Sequence, residues 1–272
     1  MPSDVWDLLQ VKPDAAKAAS KWLFVAHVPL RVHFRLICFP PAGLGGVAFR
    51  NWSNELPGGV ELCAVQLPGR TLRLAEPAIP SIPRLAEAIT DAIAQLPERP
   101  FAFFGHSMGA VLASEVARSL AARSLPLPCH LIVSGRRPPH LPDPTVPIGD
   151  LPDEAFVTEI NRRYGGIPSE ILANPDVLAL LLPGLRADII ALETFRPGSR
   201  PPFSIPISAF GGDSDPMTPI AHLEEWKSET QGAFATRVFP GGHFYLDAWR
   251  EVVLLEIARV IAPIVAKIEV ES

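Results

Sequence analysis

Cysteine is scarce in this sequence: three residues in 272, Cys38, Cys63 and Cys129, widely separated and each in or beside an apolar run. That spacing offers neither a disulfide framework nor a zinc pattern and reads as buried, reduced thiols. Blocks of like charge are missing as well. With a net charge of −5 and no cluster of Lys and Arg, the chain lacks the electrostatic footprint of a nucleic-acid binder. No apolar run is long enough to cross a bilayer; residues 22–28 are too few and include His27. The N-terminal stretch MPSDVWDLLQVKPDAAKAAS has acidic residues where a secretion signal needs a basic start and a long apolar core. A cytoplasmic location is expected, with neither membrane nor nucleic acid as partner.

What is present suits one large folded domain. A hydrophobic content of 48% against 19% charged residues is that of a globular chain, and 272 residues can bury a full α/β core. The centre of the pattern is FAFFGHSMGAVLASEVARSL, residues 101–120. It predicts a buried strand over 101–104, a tight turn at GHSMG (105–109) and a helix over 110–120. A serine with glycine two residues to either side, between a strand and a helix, fits a nucleophile elbow. Ser107 would then present its hydroxyl beyond the sheet edge, facing the first amides of the helix.

Around the elbow, strands are expected at 22–25 (an antiparallel edge), 31–39, 60–66, 131–134, 205–210 and 235–239. Helices are expected at 48–56, 82–96 and 249–262, the second starting near Ser81 with Pro83 in its first turn. Strand and helix in alternation imply a mostly parallel, doubly wound sheet. Residues 136–200 break that rhythm: prolines crowd 138–152 and helical patterns follow at 153–164, 168–172 and 176–192, the last divided by Pro183 and Gly184. The expected division is a polar arm at 1–20, a core at 21–137 and 201–272, and an inserted helical lid at 138–200. Surplus apolar surface on that lid suits an acyl tunnel, and plain packing explains it equally well.

A serine hydroxyl needs a base within hydrogen-bond reach, and the base needs a third group to fix its tautomer. Ser107, Asp215 and His243 follow the chain order nucleophile, acid, histidine, each just past a strand. Asp213 competes with Asp215 for the acid. Of the seven histidines, only His243 follows the last strand in a glycine-bearing loop; His106 adjoins the serine but would point away from it. The loop PPAGLGG (40–46) suits the second oxyanion donor, so the Ala42 and Met108 amides are the candidate hole, although an ordinary strand-to-helix turn would use the same residues.

The ordered segments ICFPPAG (37–43), FRNW (49–52), QLPGR (66–70), FFGHSMGA (103–110), SGRRPPH (134–140), LLPGLRADIIALETF (181–195), FGGDSDP (210–216) and FPGGHFYL (239–246) resemble type II thioesterases of polyketide and nonribosomal peptide assembly lines. One departure is Pro41, where many relatives have an aromatic residue. The resemblance implies an α/β-hydrolase fold and a Ser, His, Asp triad. It also implies hydrolysis of misloaded acyl groups from the phosphopantetheine arms of acyl or peptidyl carrier proteins, without metal or cofactor. A free-standing monomer is expected. Arg136 with Arg137, and Arg162 with Arg163, are candidate patches for an acidic carrier, or simply solvated pairs. A carboxylester hydrolase, a chain-releasing thioesterase and a non-enzymatic scaffold are the alternatives.

Overall fold

A computed structural model describes residues 21–52 and 55–271. The arm expected at 1–20 lies outside the described residues. Seven strands form one sheet: β1 (Leu23–His27), β2 (Phe34–Phe39), β3 (Val60–Val65), β4 (Phe101–His106), β5 (Leu131–Ser134), β6 (Ile207–Gly212) and β7 (Phe234–Phe239). Their order is β1-β3-β2-β4-β5-β6-β7, with β1 antiparallel to β3 and every other pair parallel.

Side-chain alternation sorts the strands onto two cores. On β2, Ile37 and Phe39 face one side and Phe34, Leu36 and Cys38 the other; on β4, Phe101 and Phe103 oppose Ala102 and Phe104. Because both faces are covered, the strands read as apolar runs rather than alternating ones. Helices α1 (Ile82–Ile93) and α2 (Met108–Ala122) cover the first face, and α8 (Arg250–Glu271) the second. Ser81 caps α1 by accepting the amide of Arg84. Two buried charges, Arg35 on β2 and Glu61 on β3, are cross-strand neighbours and bonded to each other.

Between β5 and β6 the chain forms α3 (Asp153–Tyr164), α4 (Ser169–Leu172) and α5 (Pro175–Thr194), with a small core of their own around Phe156, Ile160, Leu182 and Ile189. Short helices α6 (Ile220–Glu224) and α7 (Tyr245–Ala248) flank β7.

Three expectations are corrected. Helix α5 runs unbroken through Pro183: buried Leu182 before it and Ile189 after it pack in one cluster, which offsets the single backbone bond that proline removes. The closing helix likewise continues past Pro263 to Glu271. Among the described residues of the helix expected at 48–56, the chain forms a 3-10 turn, Gly46–Phe49, with i to i−3 bonds continuing to the Trp52 amide. Its tighter winding stacks side chains three residues apart, and Phe49 and Trp52 meet edge to face at 4.8 Å over Phe104.

Candidate active site

Ser107 occupies a bend with φ 55° and ψ −117°, a conformation that costs a non-glycine residue of order 1–3 kcal/mol and marks functional positions. The bend exists because strand and helix come into contact around it. A Cβ on Gly105 would lie 2.2 Å from the Gly109 carbonyl oxygen, and one on Gly109 would lie 2.0 Å from the Phe39 carbonyl oxygen. The serine amide donates to the Ser134 carbonyl at 2.8 Å, tying the elbow to β5.

Two further strand ends complete the cluster. His243, in the loop after β7, has Nε2 at 2.9 Å from Ser107 Oγ and Nδ1 at 2.7 Å from Asp215 Oδ2. The other carboxylate oxygen of Asp215 accepts the Met217 amide at 2.9 Å, so the acid is fixed in a short turn after β6. All three side chains are buried, at 5% exposure or less. Asp213 serves elsewhere. Its Oδ1 accepts the Gly241 amide at 3.0 Å and closes the histidine loop onto β6; Ser214 Oγ, and then that amide, hold its carboxyl below the usual carboxylate range. The arrangement can deprotonate a hydroxyl and stabilise the resulting imidazolium.

A cavity opens from Ser107 and His243 toward α5. Leu178, Leu181, Leu185 and Ile189 line it with Ile160 from α3, and Pro41, Ala42 and Gly43 form its rim beside the serine. The Met108 amide is the first of α2, where helical amides have no partner within the helix.

The family model described as Thioesterase domain matches residues 34–262. The chain belongs to the thioesterase domain family. Among curated relatives, it is 42% identical over 236 residues to thioesterase PikA5 of Streptomyces venezuelae, covering 85% of this chain and 82% of that one. It is 39% identical over 227 residues to gramicidin S biosynthesis protein GrsT of Aneurinibacillus migulanus, covering 84% and 88%. Among solved structures, the type II thioesterase BorB from the borrelidin biosynthetic cluster superposes with a TM-score of 0.79 at 32% identity, covering 88% of this chain and 96% of that one. The fold is therefore the α/β-hydrolase fold, and the thioesterase is a hydrolase of thioesters.

In this thioesterase the remaining histidines stand away from the serine hydroxyl. His106 is fully buried behind His243, its ring centroid 5.2 Å from that of His243, with Nδ1 2.8 Å from Ser134 Oγ, which in turn lies 2.6 Å from Tyr245 Oη. Burial pushes its imidazole well below the usual range, so the group beside His243 is neutral. His130 bonds to Ser208, and His140 to Glu229.

The arginine pairs are also corrected. Arg137 is buried and Arg136 half-buried against Asp143, and Arg163 is buried, donating to Glu159 and to the Val146 carbonyl; of the four, Arg162 is exposed. Neither pair forms an open patch, because the proline-rich 138–152 segment supplies Asp143 to Arg136 and Arg137 and the Val146 carbonyl to Arg163, leaving Arg162 solvated beside Glu159.

Sequence reasoning missed two groups. Tyr164, at the end of α3, and Phe244 flank the His243 ring with centroids 5.0 and 5.1 Å away. Arg70 and Asp188, inside two quoted segments, meet beneath the 40–46 loop. Burial of a charged pair from segments 118 residues apart has no periodic signal that could have revealed it.

Proposed function

We propose that the thioesterase removes acyl groups from the pantetheine arms of acyl or peptidyl carrier proteins as a stand-alone type II enzyme, through an acyl-Ser107 intermediate. The observation that carries this is the continuous hydrogen-bond line from Ser107 Oγ through His243 to Asp215 at the mouth of an apolar cavity. His243 Nε2 takes the serine proton as Oγ attacks the thioester carbonyl, while Asp215 keeps the proton on Nδ1. The Ala42 and Met108 amides hold the tetrahedral oxyanion; one such donor is typically worth about 3 kcal/mol of barrier. As the tetrahedral intermediate collapses, the pantetheine sulfur leaves with the proton held on His243 Nε2, which returns the imidazole to its neutral form. His243 then takes a proton from water, which attacks acyl-Ser107, and passes that proton to Ser107 Oγ as the acid is released.

The apolar walls suit a hydrocarbon acyl chain, while the similarity to PikA5, GrsT and BorB supports an assembly-line setting. Mass spectrometry of several acylated carrier proteins, incubated with wild type and with Ser107→Ala, tests the reading. Deacylation is expected from the first and none from the second. Faster hydrolysis of matched oxygen esters than of pantetheine thioesters would overturn it.

A further inference from the structure

Arg70 and Asp188 form an ion pair whose side chains are 3% and 0% exposed. Arg70 Nη2 donates to Asp188 Oδ1 at 2.9 Å, and Nη1 donates to Oδ2. The arginine is itself held by its turn, with Nε and Nη2 donating to the Pro68 carbonyl at 3.2 and 3.1 Å. Helix α5 sits directly on that turn: a Cβ on Gly184 would lie 2.7 Å from the Gly69 carbonyl oxygen.

A third bond gives the pair a link to the site. Asp188 Oδ2 accepts the amide of Gly43 at 2.8 Å, and Gly43, at φ 78°, directly follows Ala42. Three residues further on, Gln66 Oε1 accepts the Gly46 amide at 2.8 Å, while Gln66 Nε2 donates to Thr71. The 40–46 loop is thus tethered at two amides. A buried ion pair is no efficient way to gain stability, since its desolvation cost rivals its attraction and an apolar pair often does as well. Burial pushes the Asp188 carboxyl up, against the pull of Arg70 and the Gly43 amide. An aspartate kept at that cost is explained if the bond to Gly43 is what it serves.

We infer that Arg70 and Asp188 are positioning residues: the pair fixes the Gly43 amide and so aims the adjacent Ala42 amide at the oxyanion formed on Ser107. This rests on the proposed reading of Ala42 as an oxyanion donor. Donors of this kind act by being oriented before the reaction, and a displacement of about 1 Å can cost on the order of 100-fold in rate.

Two double variants separate positioning from packing. Arg70→Met with Asp188→Asn keeps an acceptor for the Gly43 amide; Arg70→Met with Asp188→Leu removes it; neither leaves an unpaired buried charge. With an acyl pantetheine thioester, the leucine variant should lose about 30- to 100-fold in kcat with KM within about threefold, and the asparagine variant should recover most of the loss. Melting temperatures should differ little between the two. Equal kcat in the two folded variants would overturn the inference.

Should the leucine variant fail to fold, hydrogen exchange at the Gly43 amide of the wild type decides: protection is expected, and exchange as fast as at exposed loop amides would refute the tether. A wild type that neither turns over thioester nor reacts with a fluorophosphonate at Ser107 would instead refute the reading of the site. An active wild type with indistinguishable variants refutes the positioning role alone.

Discussion

The strand ends and the helical layer above them are held by different physics. Ser107, Asp215 and His243 each follow a strand in a sheet packed on both faces, so register fixes where their side chains meet. The α3–α5 layer has only a small buried cluster and leans on polar anchors instead. Arg186 donates to the Gly149 and Leu151 carbonyls at 2.5 and 2.7 Å, Glu193 accepts the Ile148 and Gly149 amides, and Asp188 reaches Gly43. Several of its apolar residues, Val177 and Leu180 among them, remain exposed. The proposed triad stands on the part that cannot shift without unpacking a core, while the wall proposed to meet the acyl chain belongs to the part that can be reshaped at less cost.

Substitutions that strike both regions would sharpen that contrast or break it. The largest effect is expected at the acid: Asp215→Asn should lower kcat by about 10⁴-fold, whereas Asp213→Asn should cost less than about tenfold, as steady-state turnover of an acyl pantetheine would show. Similar losses at the two positions would remove Asp215 from its assigned role. Next comes the elbow. Gly109→Ala forces a methyl against the Phe39 carbonyl and should destabilise the fold by about 3 kcal/mol or more in denaturant unfolding.

In the helical layer the loss should appear in selectivity. Leu181→Trp would fill the cavity, lowering kcat/KM for long acyl chains relative to short ones by about 10- to 200-fold while barely moving the melting temperature. A large stability loss there would mean that the layer is packed as tightly as the sheet.

The smallest effect concerns pH. Burial pushes His130 down from 6.5 to about 4 and lowers His106 as well, so both are neutral in the folded protein. The unfolded chain takes up these protons first. Their contribution to stability is therefore complete above pH 6.5 and declines as pH falls toward 4, where folded His130 protonates too. The slope is at most about 1.4 kcal/mol per pH unit for each imidazole. His130→Gln should flatten the decline in unfolding midpoint between pH 6.5 and 4, and an unchanged slope would contradict this account.

Much of the fold was legible because its signals are local. An apolar strand, a glycine-flanked serine and a periodic helix occupy consecutive residues, so 101–120 announced the elbow, and the order of strand-terminating loops picked His243 out of seven histidines. Asp215 precedes Pro216, a pairing that suits a turn presenting a carboxylate, and the hydrogen bonds to His243 and Gly241 show how the two carboxyls diverge. At Pro183 the local backbone signal for a break is overridden by tertiary packing on both sides of the proline.

The sequence by itself determined the sheet, its bend at the serine and the three residues that close on it, since periodicity and glycine placement act within a few residues. Only the tertiary structure decided what surrounds them: that Arg137 and Arg163 turn inward, that Tyr164 and Phe244 frame the imidazole, and that Asp188 reaches from the helical layer to the Gly43 amide. Those pairings join segments far apart in the chain. Burial chooses them through the cost of leaving a charge or an amide without a partner, a cost that no single stretch of residues carries on its own.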